Sequence, residues 1–243
     1  MIPIAVTSYK IHKSSKLIDM TLKCLKSTAR QKESKTFLFD DCSDLSDSIR
    51  EFSNNNNITI VKSDHNNLSK LLNDICNFGF YKYNSNWICI INNDIELVPN
   101  TISDVASYIS KNTNELFIWA TEICNPPHKF AAFSAFVINK SFYETIGVFD
   151  ERFDFFYCDS DYEARSYEKF GYIPFHQIDT FKVHHETSTS KHELMDFTTH
   201  KIKYLHAAGI FKQKWGEIMY SPETKDIFFK KIRKQYLEKS TEP

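Results

Sequence analysis

The stretch Trp87–Glu96, WICIINNDIE, decides the fold. Trp87–Ile91 is a short, almost wholly apolar run rich in β-branched residues, the composition of a central strand covered on both faces. It stops abruptly at Asn92, Asn93 and Asp94. A polar cluster at the carboxyl end of a buried strand lies where open α/β sheets bind their ligands, because the strand holds it rigidly while the turn faces water. Asp94 offers a hard anionic oxygen and Asn92 a neutral amide oxygen, a pair suited to a hydrated divalent cation carrying a diphosphate. By itself the triplet also describes an Asn-rich turn in which Asp94 caps the following helix.

Towards the N-terminus the pattern repeats. Ile2–Ser8 reads as a strand, and Ser14 and Ser15 cap a helix with Ile18, Leu22 and Leu25 on one face. Thr36–Phe39 is a second strand ending in Asp40 and Asp41, with Ser43 as the cap of a helix that turns Leu45, Ile49 and Phe52 inward. Strand Ile58–Val61 follows, then a helix with Leu68, Leu71, Leu72, Ile75 and Phe78 at helical spacing. Such β–α units predict a parallel, doubly wound sheet with right-handed crossovers.

Towards the C-terminus, Ile102, Val105 and Ile109 mark a helix, Leu116–Ala120 a strand and Phe130–Ile138 another strand after the irregular Pro126–Pro127 region. Asp159–Phe170 reads as a helix closed by Gly171. Tyr172–Val183 is expected to be irregular or an edge strand, and two helices are expected over Leu194–Ala208 and Pro222–Leu237. The spacing therefore predicts an α/β domain over residues 1–190 and a helical extension over 191–243, packed on it as one structural unit.

Composition removes several function classes. Formal net charge is −1, so no overall field advertises nucleic acid as a partner. Only five glycines occur, none clustered, which argues against both the dinucleotide-binding turn and the P-loop. The six cysteines form no CxxC pair and mostly lie in apolar stretches, as buried free thiols would. The N-terminus opens on a strand rather than a signal peptide, and the longest uncharged apolar run, Phe130–Ile138, is under half the ~20 residues a membrane-spanning helix needs. A cytoplasmic protein with no transmembrane segment is expected. Lys225, Lys230, Lys231, Arg233, Lys234 and Lys239 make the last segment basic, but Phe228, Ile232 and Tyr236 recur every fourth residue to pack a helix inward, so peripheral membrane contact is not expected.

Acidic clusters follow the strands: Asp40 and Asp41, then Asn92 and Asp94, then Phe149–Arg165 (FDERFDFFYCDSDYEAR). Carboxylates at successive strand ends converge on one edge of a parallel sheet, where they repel one another unless a cation intervenes. His184 or His185 can bring an imidazole to the same place.

VTSYK at the N-terminus, FLFDDCSD, HNNLSKLLND, IINND, GVFDERFDFFYCDSDYEAR and KWG at Lys214–Gly216 together resemble family 2 glycosyltransferases of the GT-A fold. The similarity is closest to their bacterial and viral rhamnosyltransferase-like branch. The resemblance implies a Rossmann-like, mostly parallel sheet flanked by helices, with residues 1–190 as the nucleotide-sugar-binding and catalytic domain. It implies that Asp40 hydrogen-bonds the donor base and that Thr7 and Tyr9 lie where the first strand meets the nucleotide. Asn92, Asn93 and Asp94 match the DxD motif, whose last acid holds a manganese or magnesium ion on the diphosphate. Asp159 matches the catalytic base, with Cys158 in place of the Glu that precedes it, and His184 or His185 matches the metal-binding histidine. The implied activity is metal-dependent, inverting transfer from a nucleoside diphosphate sugar, a UDP-sugar, to a glycan or other hydroxyl acceptor. Two readings compete: a catalytically silent nucleotide-sugar or glycan binder, because Asn92 and Cys158 replace acids, and a two-ion phosphoesterase or nucleotidyltransferase, which needs more strand-end carboxylates.

Overall fold

The computed structural model describes residues 1–10, 14–123, 133–185, 196–216, 228, 230 and 231. Its strands are β1 (Ile4–Tyr9), β2 (Thr36–Asp41), β3 (Thr59–Ser63), β4 (Trp87–Asn92), β5 (Ile95–Leu97), β6 (Phe117–Glu122), β7 (Ala135–Asn139) and β8 (Phe175–His185). Its helices are α1 (Ser15–Ala29), α2 (Asp47–Asn55), α3 (Leu68–Asn77), α4 (Thr101–Lys111), α5 (Lys140–Ile146), α6 (Cys158–Phe170) and α7 (Phe197–Trp215), with a π-helical turn at Phe78–Lys82. The strands form one sheet in the order β3-β2-β1-β4-β7-β6-β8-β5.

The four β–α units pair in parallel, β3 to β2 to β1 to β4. Beyond β4 the expectation of a uniformly parallel sheet fails: β7 runs antiparallel to both β4 and β6. An apolar run buried on both faces satisfies either direction, so composition could not settle it. The strand within Phe130–Ile138 begins only at Ala135, after a turn at Phe133 and Ser134. Strand β8 is interior rather than an edge, parallel to β6 on one side and antiparallel to β5 on the other.

Alternation along the central strands builds two cores. Ile4, Val6, Leu38 and Ile91 face α1, α2 and α4. Ala5, Phe37, Phe39 and Ile90 face α3, α5 and α6, where Phe117 stacks on Phe136 at 5.0 Å and Phe175 at 4.2 Å between ring centroids. A third cluster seats α7 on α6 and the segment before it: Ala207, Ala208 and Phe211 cluster with Phe153, Tyr157 and Ala164.

Helix ends follow local chemistry. Asn67 caps α3 by accepting from Lys70 N at 3.0 Å, and Asp196 caps α7 by accepting from Thr199 N at 2.9 Å. Gly171 and Gly216 end α6 and α7 with φ of 74° and 76°, the left-handed conformation glycine adopts without penalty. Ser43 is not the cap of α2; Ser46 stands at that position. The helix expected at Leu194–Ala208 runs instead from Phe197 to Trp215. Most of the helix expected at Pro222–Leu237 lies outside the described residues, but Phe228 is helical and buried, with its ring 5.4 Å from that of Phe211.

Candidate active site

The turn after β4 sends its three polar side chains in three directions. Thr7 and Asn92 are register partners on β1 and β4, and Thr7 Oγ1 donates to Asn92 Oδ1 at 3.1 Å. Asn93 is buried and donates from Nδ2 to Thr21 Oγ1 of α1 at 2.9 Å, a tie to the helix. Asp94 faces the end of β8, with Oδ2 3.6 Å from His185 Nε2.

Pairing of β5 with β8 creates that approach. Ile95 is opposite His185 and Glu96 is opposite His184, so the residue just before β5 meets the last imidazole of β8. His184 is exposed and lines a separate cleft with Arg30, Gln31 and Glu96. Of the two, His185 is the one in the Asp94 ion pair described above. Its Nδ1 lies 2.6 Å from Glu122 Oε1 at the end of β6, a contact the sequence reading missed because it ended that strand at Ala120. Burial would lower the His185 pKa, but hydrogen bonding and charge from Asp94, then from Glu122, outweigh it and raise it.

Among the described residues no three His, Cys, Asp or Glu side chains converge as a complete metal cage. The donor set nevertheless fits a divalent ion whose other ligands are phosphate oxygens and water: one hard carboxylate from Asp94 and one imidazole. Glu122 on the far nitrogen of that imidazole is the partner that orients a metal-binding histidine.

Strand alternation separates the two acids of β2. Thr7, Tyr9 and Asp41 share a sheet face with Phe39, whereas Asp40 shares the other with Leu38. Asp40 is buried, accepts from Ser8 Oγ at 3.4 Å and lines a groove of about 540 Å³ with Lys62, Ser63 and Asp64. Burial raises its carboxyl above the ordinary range, against the opposing Ser43 hydrogen bond and Lys62 charge. Asp41 instead shares a slot of about 30 Å³ with Tyr9, Asn66, Asn67, Asp154, Phe155 and Lys203. Its Oδ1 accepts from His65 N at 2.7 Å and Ser63 Oγ at 3.1 Å, and Tyr9 OH hydrogen-bonds Asn66 Oδ1 across the slot. The structure therefore does not bring Asp40 to Tyr9; the neighbouring acid is there.

Asp159 sits, partly exposed, in the first turn of α6, its Oδ1 accepting from Ser160 N at 2.7 Å. The segment leading to it is laced to α3: Leu68 N donates to Asp154 O at 2.7 Å and Ser69 Oγ to Phe153 O at 2.6 Å. That lacing puts Asp154 and Phe155 in the wall of the Tyr9–Asp41 slot. Cys158 is buried, its thiol pushed up by burial, and takes no carboxylate's place in the open site.

The model for "Glycosyl transferase family 2" matches residues 13–173, more than half of the chain. No protein in a search of curated proteins matches the sequence. Among solved structures, S. aureus TarS 1–349 in complex with UDP-GlcNAc superposes with a TM-score of 0.64 at 11% identity, over 98% of this chain and 73% of that one. Against the longer S. aureus TarS chain the overlap is 42% of that chain. The mannosyltransferase PcManGT from Pyrobaculum calidifontis, in complex with GDP-Man and Mn2+, gives a TM-score of 0.59 at 12% identity, over 98% of this chain and 74% of that one. GalNAc-T7 with UDP, GalNAc and Mn2+ gives 0.59 at 12% identity, over 97% of this chain and 55% of that one. The shared architecture is the GT-A fold.

Proposed function

This chain belongs to glycosyl transferase family 2, and on that premise we propose that it transfers a sugar from a nucleoside diphosphate sugar to a hydroxyl of a glycan or similar acceptor, with inversion at the anomeric carbon. The observation that carries the proposal is the pairing of Asp94 with a Glu122-oriented His185 at the strand ends. These two side chains would hold manganese or magnesium, which neutralises charge developing on the leaving diphosphate. Tyr9 and Asp41 would take the donor base: a ring for stacking and a carboxylate to accept an imide N–H. Asp41 replaces Asp40 in this role because it alone of the two lies on the Tyr9 face. The donor we propose is a UDP-sugar, a reading supported by the UDP-GlcNAc complex of the structurally similar S. aureus TarS 1–349.

Asp159, at the mouth of α6, would accept the acceptor hydroxyl proton as the new bond forms, a contribution of roughly 10²–10⁴-fold. Asp159 as the one assigned base, with no nucleophile assigned beside it among the described residues, implies one displacement and therefore inversion. No described helix is long and apolar enough to cross a membrane, and we place the protein in the cytoplasm, where its five described cysteines would persist as free thiols.

Screening UDP-, GDP- and dTDP-sugars for manganese-dependent hydrolysis tests the reading. Asp94→Ala should abolish manganese-dependent UDP binding in a folded protein. Asp159→Asn should keep UDP and metal affinity and lose transfer; turnover within a few-fold of the parent would mean another residue is the base, and would leave the silent-binder reading no support either.

A further inference from the structure

Tyr157, two residues before Asp159, adopts the left-handed conformation with φ 64° and ψ 2°. A bulky aromatic rarely occupies that region, and such strain persists only where the surroundings over-determine it. The surroundings here belong to α7. Tyr157 OH lies 3.1 Å from Tyr204 OH, and its ring packs 5.1 Å from that of Phe211.

One turn further, Asp161 is completely buried and gathers three side-chain donors. Arg165 Nε donates to Oδ2 at 2.9 Å, and Lys214 Nζ and Trp215 Nε1 reach Oδ1 at 2.8 and 2.9 Å. Lys214 also bonds Asp150 Oδ2 at 2.8 Å, so one ammonium joins both ends of the segment 150–161. A third lysine contact, Lys203 Nζ to Asp154 Oδ2 at 2.9 Å, pins its middle. Helix α7 thus lies along the strained turn and holds it at Asp150, Asp154, Tyr157 and Asp161.

Buried ion pairs contribute little net stability once desolvation is counted, and their best-attested use is to select one geometry among several. Here that geometry is the entry of α6, which carries Asp159. We propose that Lys214, assisted by Trp215, is a positioning residue for transfer: by tying Asp161 and Asp150 to α7 it holds the Tyr157 turn and keeps Asp159 aimed at the acceptor. The inference rests on Asp159 being the base, and it makes the C-terminal helix part of the catalytic apparatus.

The test compares Lys214→Met, Lys214→Arg, Trp215→Phe and Asp159→Asn in the full chain, with whichever nucleotide sugar the hydrolysis screen shows to be turned over. A displacement on the scale of an ångström predicts kcat about tenfold lower for Lys214→Met, with a smaller loss for Trp215→Phe, while donor KM and manganese-dependent UDP affinity stay within about threefold. Lys214→Arg should recover most of kcat, because a guanidinium can span the two carboxylates. Amide exchange across Tyr157–Asp161, which needs no substrate, should quicken in Lys214→Met while exchange in β1 and β4 does not change. If Lys214→Met fails to fold, Trp215→Phe, which keeps a smaller aromatic ring and removes one donor, is judged by the same readouts. Unchanged kcat and unchanged exchange beside an inactive Asp159→Asn would overturn the proposal alone. An active Asp159→Asn would overturn the assignment of the base, and the positioning role with it.

Discussion

Glu122 offers the sharpest test of the metal site, because its carboxylate meets the nitrogen of His185 that faces away from Asp94. Its carboxylate is 2.6 Å from His185 Nδ1, with side-chain exposures of 4% for Glu122 and 13% for His185, so water screens the contact little. A charge-assisted bond of this kind is roughly twice as strong as a neutral one. Glu122→Gln keeps the size and an accepting oxygen but gives up the charge, whereas Glu122→Ala gives up the acceptor and frees the ring to turn. Loss of such outer partners typically weakens metal binding about 10–100-fold, or roughly 1.4–2.7 kcal/mol. The expected order is therefore about tenfold for Glu122→Gln and nearer a hundredfold for Glu122→Ala. Calorimetric titration of manganese into protein saturated with UDP measures it, with thermal melting to confirm that both variants are folded. Manganese affinity within threefold of the parent in both variants would refute the argument, since an ion held by His185 must feel the loss of the group that aims it.

His185→Ala should abolish manganese-dependent UDP binding and His184→Ala should leave it intact; the reverse result in the same titration would mean that the β5–β8 register does not select the ligand. Asp41→Asn should weaken UDP binding about tenfold, the scale of a charged hydrogen bond, while Asp40→Asn stays within about threefold; equal losses would contradict the division of the two acids between sheet faces. Phe117→Ala, which removes a ring stacked on Phe136 and Phe175, should cost about 3–5 kcal/mol in urea unfolding, and a cost below about 1 would show that this aromatic cluster repacks freely. Hydrogen bonds from Arg152, then from Lys214, hold the Asp150 carboxyl well below the ordinary range despite partial burial. A folded pKa below the unfolded one contributes stability that is complete above the unfolded value near ~4 and fades as pH falls from there towards the folded value. The stability gap between parent and Asp150→Asn should therefore narrow between about pH 5 and pH 3, and a gap that stays constant over that range argues against the shift.

Local pattern was enough for the first half of the molecule. Strand β4 and its Asn92–Asp94 turn were legible because the apolar run, its abrupt end and the flanking helical periodicities are decided by residues within a few positions of one another. The same local rules placed the cap of α2 three residues early, since Ser43 and Ser46 are equally good caps and only the course of the chain distinguishes them.

Where two adjacent residues carry the same chemistry, sequence had no means of choosing. Asp40 and Asp41 are both buried acids at one strand end, and which of them joins Tyr9 depends on the β1–β2 register that puts them on opposite faces. His184 and His185 are separated in the same way by the pairing of β8 with a three-residue strand almost ninety positions earlier. The sequence by itself determined the element types, the β–α order and the chemical inventory: acids, an imidazole and aromatics at strand ends. Only the tertiary structure decided the antiparallel insertion of β7, the contact of Glu122 with His185, and the ties of Lys214 and Trp215 to Asp161. Each of those depends on which strands or helices pair across the fold, and such long-range pairing leaves no period in the sequence around either partner.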